Sequence, residues 1–209
     1  KPDCEGMVFD QCKARLYLLP SGSRKNRFEG FCVGMNSKRP LKGEPLDLKP
    51  LYKRIKKHAN IKSKDLNIEG GGMLAQGRWF LLNRGNGPAR QNLFIELEGE
   101  PLPEAEPVDT IRIKLPEIGG IPATITDGFV TGSCLCLLAA AEGADLPWLD
   151  GEVAGSLLAL YDLSEKKLTD WYRLPGNIKF EGVAPNKVTT EELSVYLCSD
   201  QDDPDQPGE

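Results

Sequence analysis

Asp65-Leu66-Asn67-Ile68-Glu69-Gly70-Gly71-Gly72, followed by Gly77-Arg78-Trp79-Phe80-Leu81-Leu82-Asn83, is the stretch on which the fold turns. Its centre, Asn67-Ile68-Glu69-Gly70, is echoed by Asp3-Cys4-Glu5-Gly6 and by Lys179-Phe180-Glu181-Gly182. A shorter copy is Thr126-Asp127-Gly128. The carboxylates at 5, 69, 127 and 181 stand 64, 58 and 54 residues apart. Self-similarity along a chain marks one supersecondary unit used several times, and this spacing is somewhat longer than the roughly 40–50 residues of common propeller repeats, an excess that longer loops account for.

Each copy has the same sequel. A strand-like run follows at ARLYLLP (14–20), GRWFLLN (77–83), SCLCLLAAAE (133–142) and LSVYLCSD (193–200). β-Branched, aromatic and leucine-rich runs bounded by turn residues read as strands. A polar or glycine-bearing loop comes next in every case: SGSRKNR, RGNGPARQN, GADLPWLDG and QDDPDQPGE. The first three copies continue into a third strand (FEGFCVGM, NLFIELE, GSLLALYDL) and a fourth (LDLKPLYKRI, DTIRIKLP, KLTDWYRLP). Pro50 leaves Leu48–Lys57 open to either a short helix or a strand. Four strands per repeat predict an all-β protein, a β-propeller of four-stranded blades. The blades are expected at 3–60, 66–116 and 122–176, with a half blade over 177–209, in one domain covering 1–209. A propeller ring closes with roughly four to eight blades. About three and a half blades therefore predict a fragment of a larger ring, or a last blade completed by another chain.

The composition fits this reading. The chain is 40% hydrophobic and 27% charged, with a net charge of -5, which disfavours nucleic acid as the partner. No apolar run reaches the roughly 18 residues that a membrane-spanning helix needs. The six cysteines form no CxxC pair and sit mostly in apolar stretches, so they are expected as buried free thiols. Unpaired cysteines favour a soluble cytoplasmic protein over a periplasmic one.

In such a blade the start of the first strand and the loop between the second and third strands lie at one face. Glu5, Asn67, Glu69, Asp127 and Glu181 are therefore expected beside loop residues Ser21, Ser23, Arg24, Asn83, Arg84, Asn86, Glu142, Asp150, Glu152, Asp200, Asp202 and Asp203. Converging carboxylates repel one another unless they take up protons or share a cation. Oxygen ligands suit calcium or another divalent cation such as magnesium. Glu5, Asn67, Glu69, Asp127, Glu142 and Glu181 are the expected metal ligands. Glu69 and Glu181, which keep the full x-Glu-Gly form, are the expected catalytic bases. Arg24, Arg84 and Asn83 are the expected contacts to an anionic substrate. The alternative is that each glutamate caps backbone N–H groups and each glycine serves a tight turn. The only histidine, His58, stands in the basic run 53–64, which argues against a Ser–His–Asp triad. Gly70-Gly71-Gly72 lacks the Lys-Ser/Thr of a phosphate loop and reads as close packing of an inner strand.

The segments DCEGM, LLPSGSRKNR, DLNIEGGG, LLNRGNG, DGEVAGS, KFEGVA and SDQDDPDQPGE resemble, as a set and over nearly the whole chain, an uncharacterised bacterial family of six-bladed propellers, a domain of unknown function. That resemblance implies further sequence before Lys1 and a final strand after Glu209. The IEG and FEG phrases also look like those of esterase-like phytase propellers. More distantly they resemble gluconolactonase and regucalcin-like propellers, which implies a calcium-dependent hydrolase with its metal in the channel. The second-strand loops depart from the phytase-like pattern. The expected function is a divalent-metal-binding hydrolase for a phosphoester or lactone. The alternative is a non-catalytic propeller that presents its loop face to a protein or glycan.

Overall fold

The computed structural model describes residues 3–35, 42–74, 77–143, 151–189 and 191–199. They form an all-β protein with one α-helix. Three four-stranded antiparallel sheets run in chain order, within residues 4–47, 68–113 and 124–173. A two-stranded sheet within 180–199 follows the third, and a small hairpin within 117–122 precedes it. The chain divides into two compact units, Lys1–Arg112 and Ile113–Glu209.

The first strand of every repeat begins on the motif: β1 at Cys4–Asp10, β5 at Ile68–Met73, β11 at Thr124–Thr131 and β15 at Phe180–Val188. Each pairs with the run expected as its second strand: β2 (Arg15–Pro20), β6 (Trp79–Asn83), β12 (Cys134–Glu142) and β16 (Leu193–Ser199). Third and fourth strands are β3 (Glu29–Gly34) and β4 (Gly43–Asp47), β7 (Asn92–Glu98) and β8 (Glu106–Ile113), and β13 (Val153–Asp162) and β14 (Lys167–Arg173). The hairpin β9 (Glu117–Ile118) and β10 (Ile121–Pro122) turns on Gly119-Gly120, both at positive φ, as a tight two-residue turn requires.

One expected strand is a helix. The fourth strand of the first repeat is β4, and the following segment forms α1, Lys49–Ala59. Pro50 falls in its first turn, where a missing N–H removes no helical bond. Leu51, Tyr52, Ile55 and Ala59 make a buried stripe at helical spacing, while Lys53, Lys57 and His58 face solvent. The Tyr52 hydroxyl donates to the carbonyl of Pro20 at 2.6 Å and so ties the helix to the end of β2.

All four first strands carry a register shift at the same place. The skipped residue is Glu5, Glu69, Thr126 and Glu181. A bulge inserts one residue and re-aims its side chain. This ladder corrects the alignment of the third repeat: Thr126 occupies the glutamate position, and Asp127 matches Gly6, Gly70 and Gly182.

Packing follows one direction within each unit. Val8, Tyr17, Leu19 and Cys32 lie on one face of β1–β4, here termed leading. They join a buried cluster with Trp79, Leu81 and Ile95 on the opposite, trailing face of β5–β8. The Tyr17 and Trp79 rings meet edge to face at 5.0 Å. β1 lies beside β5, and a Cβ on Gly6 would stand 3.3 Å from Gly70 Cα. A Cβ on Gly71 would stand 2.8 Å from the Phe80 carbonyl, which is the expected close packing of the glycine run. In the second unit β15 lies against β11 and β12, with its trailing-face Val183 buried.

All six cysteines are free, and only Cys32 and Cys136 are buried. Cys134 is half-buried and Cys4, Cys12 and Cys198 are exposed, against the expectation of mostly buried thiols. No helix among the described residues is long and apolar enough to cross a membrane.

Candidate functional site

The polar residues of the first unit gather where the first strands begin and the second strands end. Ser21, fully buried after Pro20, donates from Oγ to Asp3 Oδ2 at 2.6 Å, and its carbonyl accepts from Ile68 N at 2.8 Å. Arg27 Nη1 lies 3.0 Å from Asp3 Oδ2 and 3.2 Å from Ser23 Oγ. The β2–β3 loop is thereby tied to the starts of both β1 and β5. Arg24, on the same loop, is exposed.

A second group surrounds the bulge of β5. Asn67 Nδ2 donates to Glu69 Oε1 at 2.5 Å and to Asn86 Oδ1 at 3.3 Å. Arg84 Nη1 stands 3.5 Å from Glu69 Oε1, and both side chains are about nine-tenths buried or more. A buried carboxylate keeps its charge only beside a partner of opposite sign. Glu69 therefore has its cation within the protein. Asn83, fully buried, accepts from Asn67 N at 2.8 Å and donates to the carbonyls of Asp65, Arg84 and Gln91. Its amide clamps the β6–β7 loop. Glycines keep that loop tight: a Cβ on Gly87 would stand 2.7 Å from the Lys64 carbonyl.

The second unit repeats the theme with different residues. Lys179, two before the bulge residue, places Nζ 2.9 Å from Glu181 Oε1 and 3.9 Å from Glu142 Oε2. Glu142 Oε1 also accepts from Gly151 N at 2.9 Å. Asp127 Oδ2 accepts from Val183 N at 2.9 Å, which fastens β11 to β15. Burial raises the Asp127 carboxyl to about 6, opposed by the N–H groups of Val183 and Gly128. Thr126 Oγ1 donates to the carbonyl of Phe180 at 2.9 Å. Ser156 Oγ donates to the carbonyl of Ile178 and accepts from Phe180 N, so the start of β15 is held from two strands.

The expected site residues therefore separate into kinds. Glu69, Asn67 and Arg84 come together in the first unit, and Glu142 and Glu181 both face Lys179 in the second. Glu5 is exposed at its bulge. Asp127 is turned to a backbone N–H. Asp150 and Asp200–Asp203 lie outside the described residues. The structure adds two partners that the sequence reading left without a role: Lys179 for Glu181, and Thr126 at the third bulge. The two-residue step Asp3/Glu5, Asn67/Glu69 and Lys179/Glu181 was the available signal.

A divalent cation needs several oxygen ligands not already neutralised. Among the described residues no group of three or more His, Cys, Asp or Glu is able to hold a metal ion. Glu69, Glu142 and Glu181 instead face Arg84 and Lys179.

No curated protein matches the chain. A sequence family described as a family of unknown function (DUF6929) matches residues 1–209, and the chain belongs to that family.

Proposed function

We propose that the repeated sheets are blades of a β-propeller and that the protein is a non-catalytic binding module, its polar loop end presented to a protein or glycan. Three features support the blade reading: the common bulge, the neighbouring of first strands β1 with β5 and β11 with β15, and the leading-on-trailing packing in each unit. The binding reading rests on one observation. The two x-Glu-Gly glutamates outside β1, Glu69 and Glu181, are each paired with a cationic side chain of their own unit. A general base or a metal ligand must be released from such a pair before it acts. Exposed loop residues of the first unit, Arg24 and Arg90, are the candidate contacts to a partner.

Calorimetry with calcium on the intact protein tests this against a metal-dependent hydrolase. The expected result is no binding heat at millimolar calcium and no turnover of phosphoester or lactone substrates. Calcium binding that Glu69→Gln abolishes would overturn the proposal. A glycan array and pull-down with purified candidate proteins, run beside an Arg24→Ala/Arg90→Ala variant, identifies the ligand class.

A further inference from the structure

The basic run that follows β4 takes no part in the paired charges described above. From Leu48 to Lys64 the chain holds seven Lys and Arg residues and no Asp or Glu, in a protein whose net charge is -5. Lys49, Lys53 and Lys57 are spaced four apart on α1, and all three are exposed. Residues four apart on a helix are neighbours, so these lysines form one row of like charge about 12 Å long. Lys56 Nζ donates to Ser63 Oγ at 2.9 Å, which brings the exposed Lys62 and Lys64 alongside the last turn. Like charges at this spacing weaken a helix, and Lys49 stands at the N-terminal end, where the helix dipole is itself positive. Asp47, just before the helix, accepts from Lys49 N at 3.0 Å. The first turn holds no acidic residue, and among the described residues Lys49, Lys53, Lys57, Lys62 and Lys64 make no ion pair. Arg54 differs from them: half-buried, it donates to the carbonyls of Pro103 and Ala105 and pairs with Glu106 at 3.0 Å.

We propose that this lysine row is the docking surface for an acidic segment of a partner protein. Charge complementarity carries the choice, since carboxylates set opposite the lysines remove the repulsion that the free helix bears. An extended chain rises about 3.3 Å per residue, so roughly four to eight residues rich in Asp and Glu cover the row and its extension at Lys62 and Lys64. The chemistry of the patch selects this partner over other polyanions. Proteins hold single-stranded nucleic acid by aromatic stacking and arginine contacts as well as by charge. Here Tyr52 is fully buried and Arg54 is already engaged, so the patch offers neither. A long phosphate polymer also runs onto the rest of a net-negative chain, whereas a short peptide stays on the patch. A helix that binds an anionic membrane surface sinks an apolar face into the lipid. The apolar residues of α1, Leu51, Tyr52, Ile55 and Ala59, are instead in the core. Tyr52 and Arg54 fasten the helix to the sheet and to the 102–105 segment, so the row is in place before a partner arrives. The surface does not use Arg24 or Arg90, and the inference stands whether or not those bind a protein or glycan.

Fluorescence anisotropy on the intact protein, with a labelled peptide of about eight glutamates, reads the binding directly. Saturable binding is expected at low ionic strength, weakening steeply as salt rises to about 0.3 M. Lys49→Glu/Lys53→Glu/Lys57→Glu is expected to raise the dissociation constant at least about 10-fold. Arg112→Glu/Lys114→Glu/Lys167→Glu reverses the same amount of charge at exposed residues outside the patch. That control is expected to stay within about 3-fold of the wild type, because salt screens distant charges. Lys53→Glu alone separates docking from folding. It turns two like-charge pairs four apart into opposite-charge pairs, so it is expected to melt no lower than the wild type while binding the peptide more weakly. Absence of peptide binding at low salt overturns the proposal, as does a row variant that binds as tightly as the control variant. So does a single-stranded oligonucleotide of the same length, or a phosphatidylserine vesicle, that binds through the same lysines more tightly than the peptide.

Discussion

Charged side chains at the start of the first strands are held by partners that burial makes necessary. Arg84 and Glu69 illustrate this, because either one alone is an ion enclosed by protein. Arg84→Ala is expected to destabilise the fold by about 3–5 kcal/mol in urea unfolding, the usual result of breaking a buried pair from one side. Replacing both, with Glu69→Leu and Arg84→Met, is expected to cost far less, since no lone charge remains. Asp127 carries the pH dependence. The folded protein keeps its proton up to about pH 6, whereas the ordinary carboxyl value is 3.8. Between those values the folded state binds more protons than the unfolded chain, so this group's stabilising contribution falls as pH rises and levels off above 6. Asp127→Asn keeps an acceptor for Val183 N and is expected to flatten the melting temperature between pH 4 and 6. An unchanged slope in that window would count against the assignment.

At the level of elements, the β2–β3 loop and α1 hold each other. Gly22 has φ +69°, and a Cβ there would stand 2.5 Å from the Tyr52 ring. Gly22→Ala combines a left-handed backbone with overpacking and is expected to lower stability by about 2–3 kcal/mol. Tyr52→Phe leaves the buried Pro20 carbonyl without its hydroxyl donor and is expected to cost about 1–3 kcal/mol. Denaturant midpoints measured for both variants check these values. The helix was only half legible in the sequence. Pro50 and a short buried stripe fit both a first helical turn and an edge strand. The decision came from Leu51, Tyr52 and Ile55 reaching the core while β4 supplied the fourth strand upstream.

Over the molecule as a whole, burial is uneven in a way that hydrogen exchange will read. β12 and β6 are buried along almost their full length, whereas β14 is largely exposed, β16 alternates between exposed and half-buried, and both are edge strands among the described residues. Amides of β6 and β12 are expected to exchange only on global unfolding, and those at the free edges of β14 and β16 far earlier. Equal protection across these strands would contradict the packing described.

The repeat could be read from the chain because a supersecondary unit copies its local chemistry. The bulge and the apolar second strand recur in all four repeats, and the glycine beside the bulge in three of them. That much located the four-stranded sheets, their order and the polar end of each. Which residue fills the third bulge was not legible, because Thr126 and Asp127 are neighbours and only the ladder to β12 separates them. Nor was the fate of the carboxylates. Glu69 and Glu181 read alike in sequence as ligands for a metal, a substrate or a proton. Arg84 lies 15 residues from Glu69 along the chain, and Glu142 lies more than thirty before the Lys179 it meets. The sequence by itself determined the repeating unit, since that rests on local backbone demands. Only the tertiary structure decided which charges neutralise which, since that depends on distances between strands that the chain order does not contain.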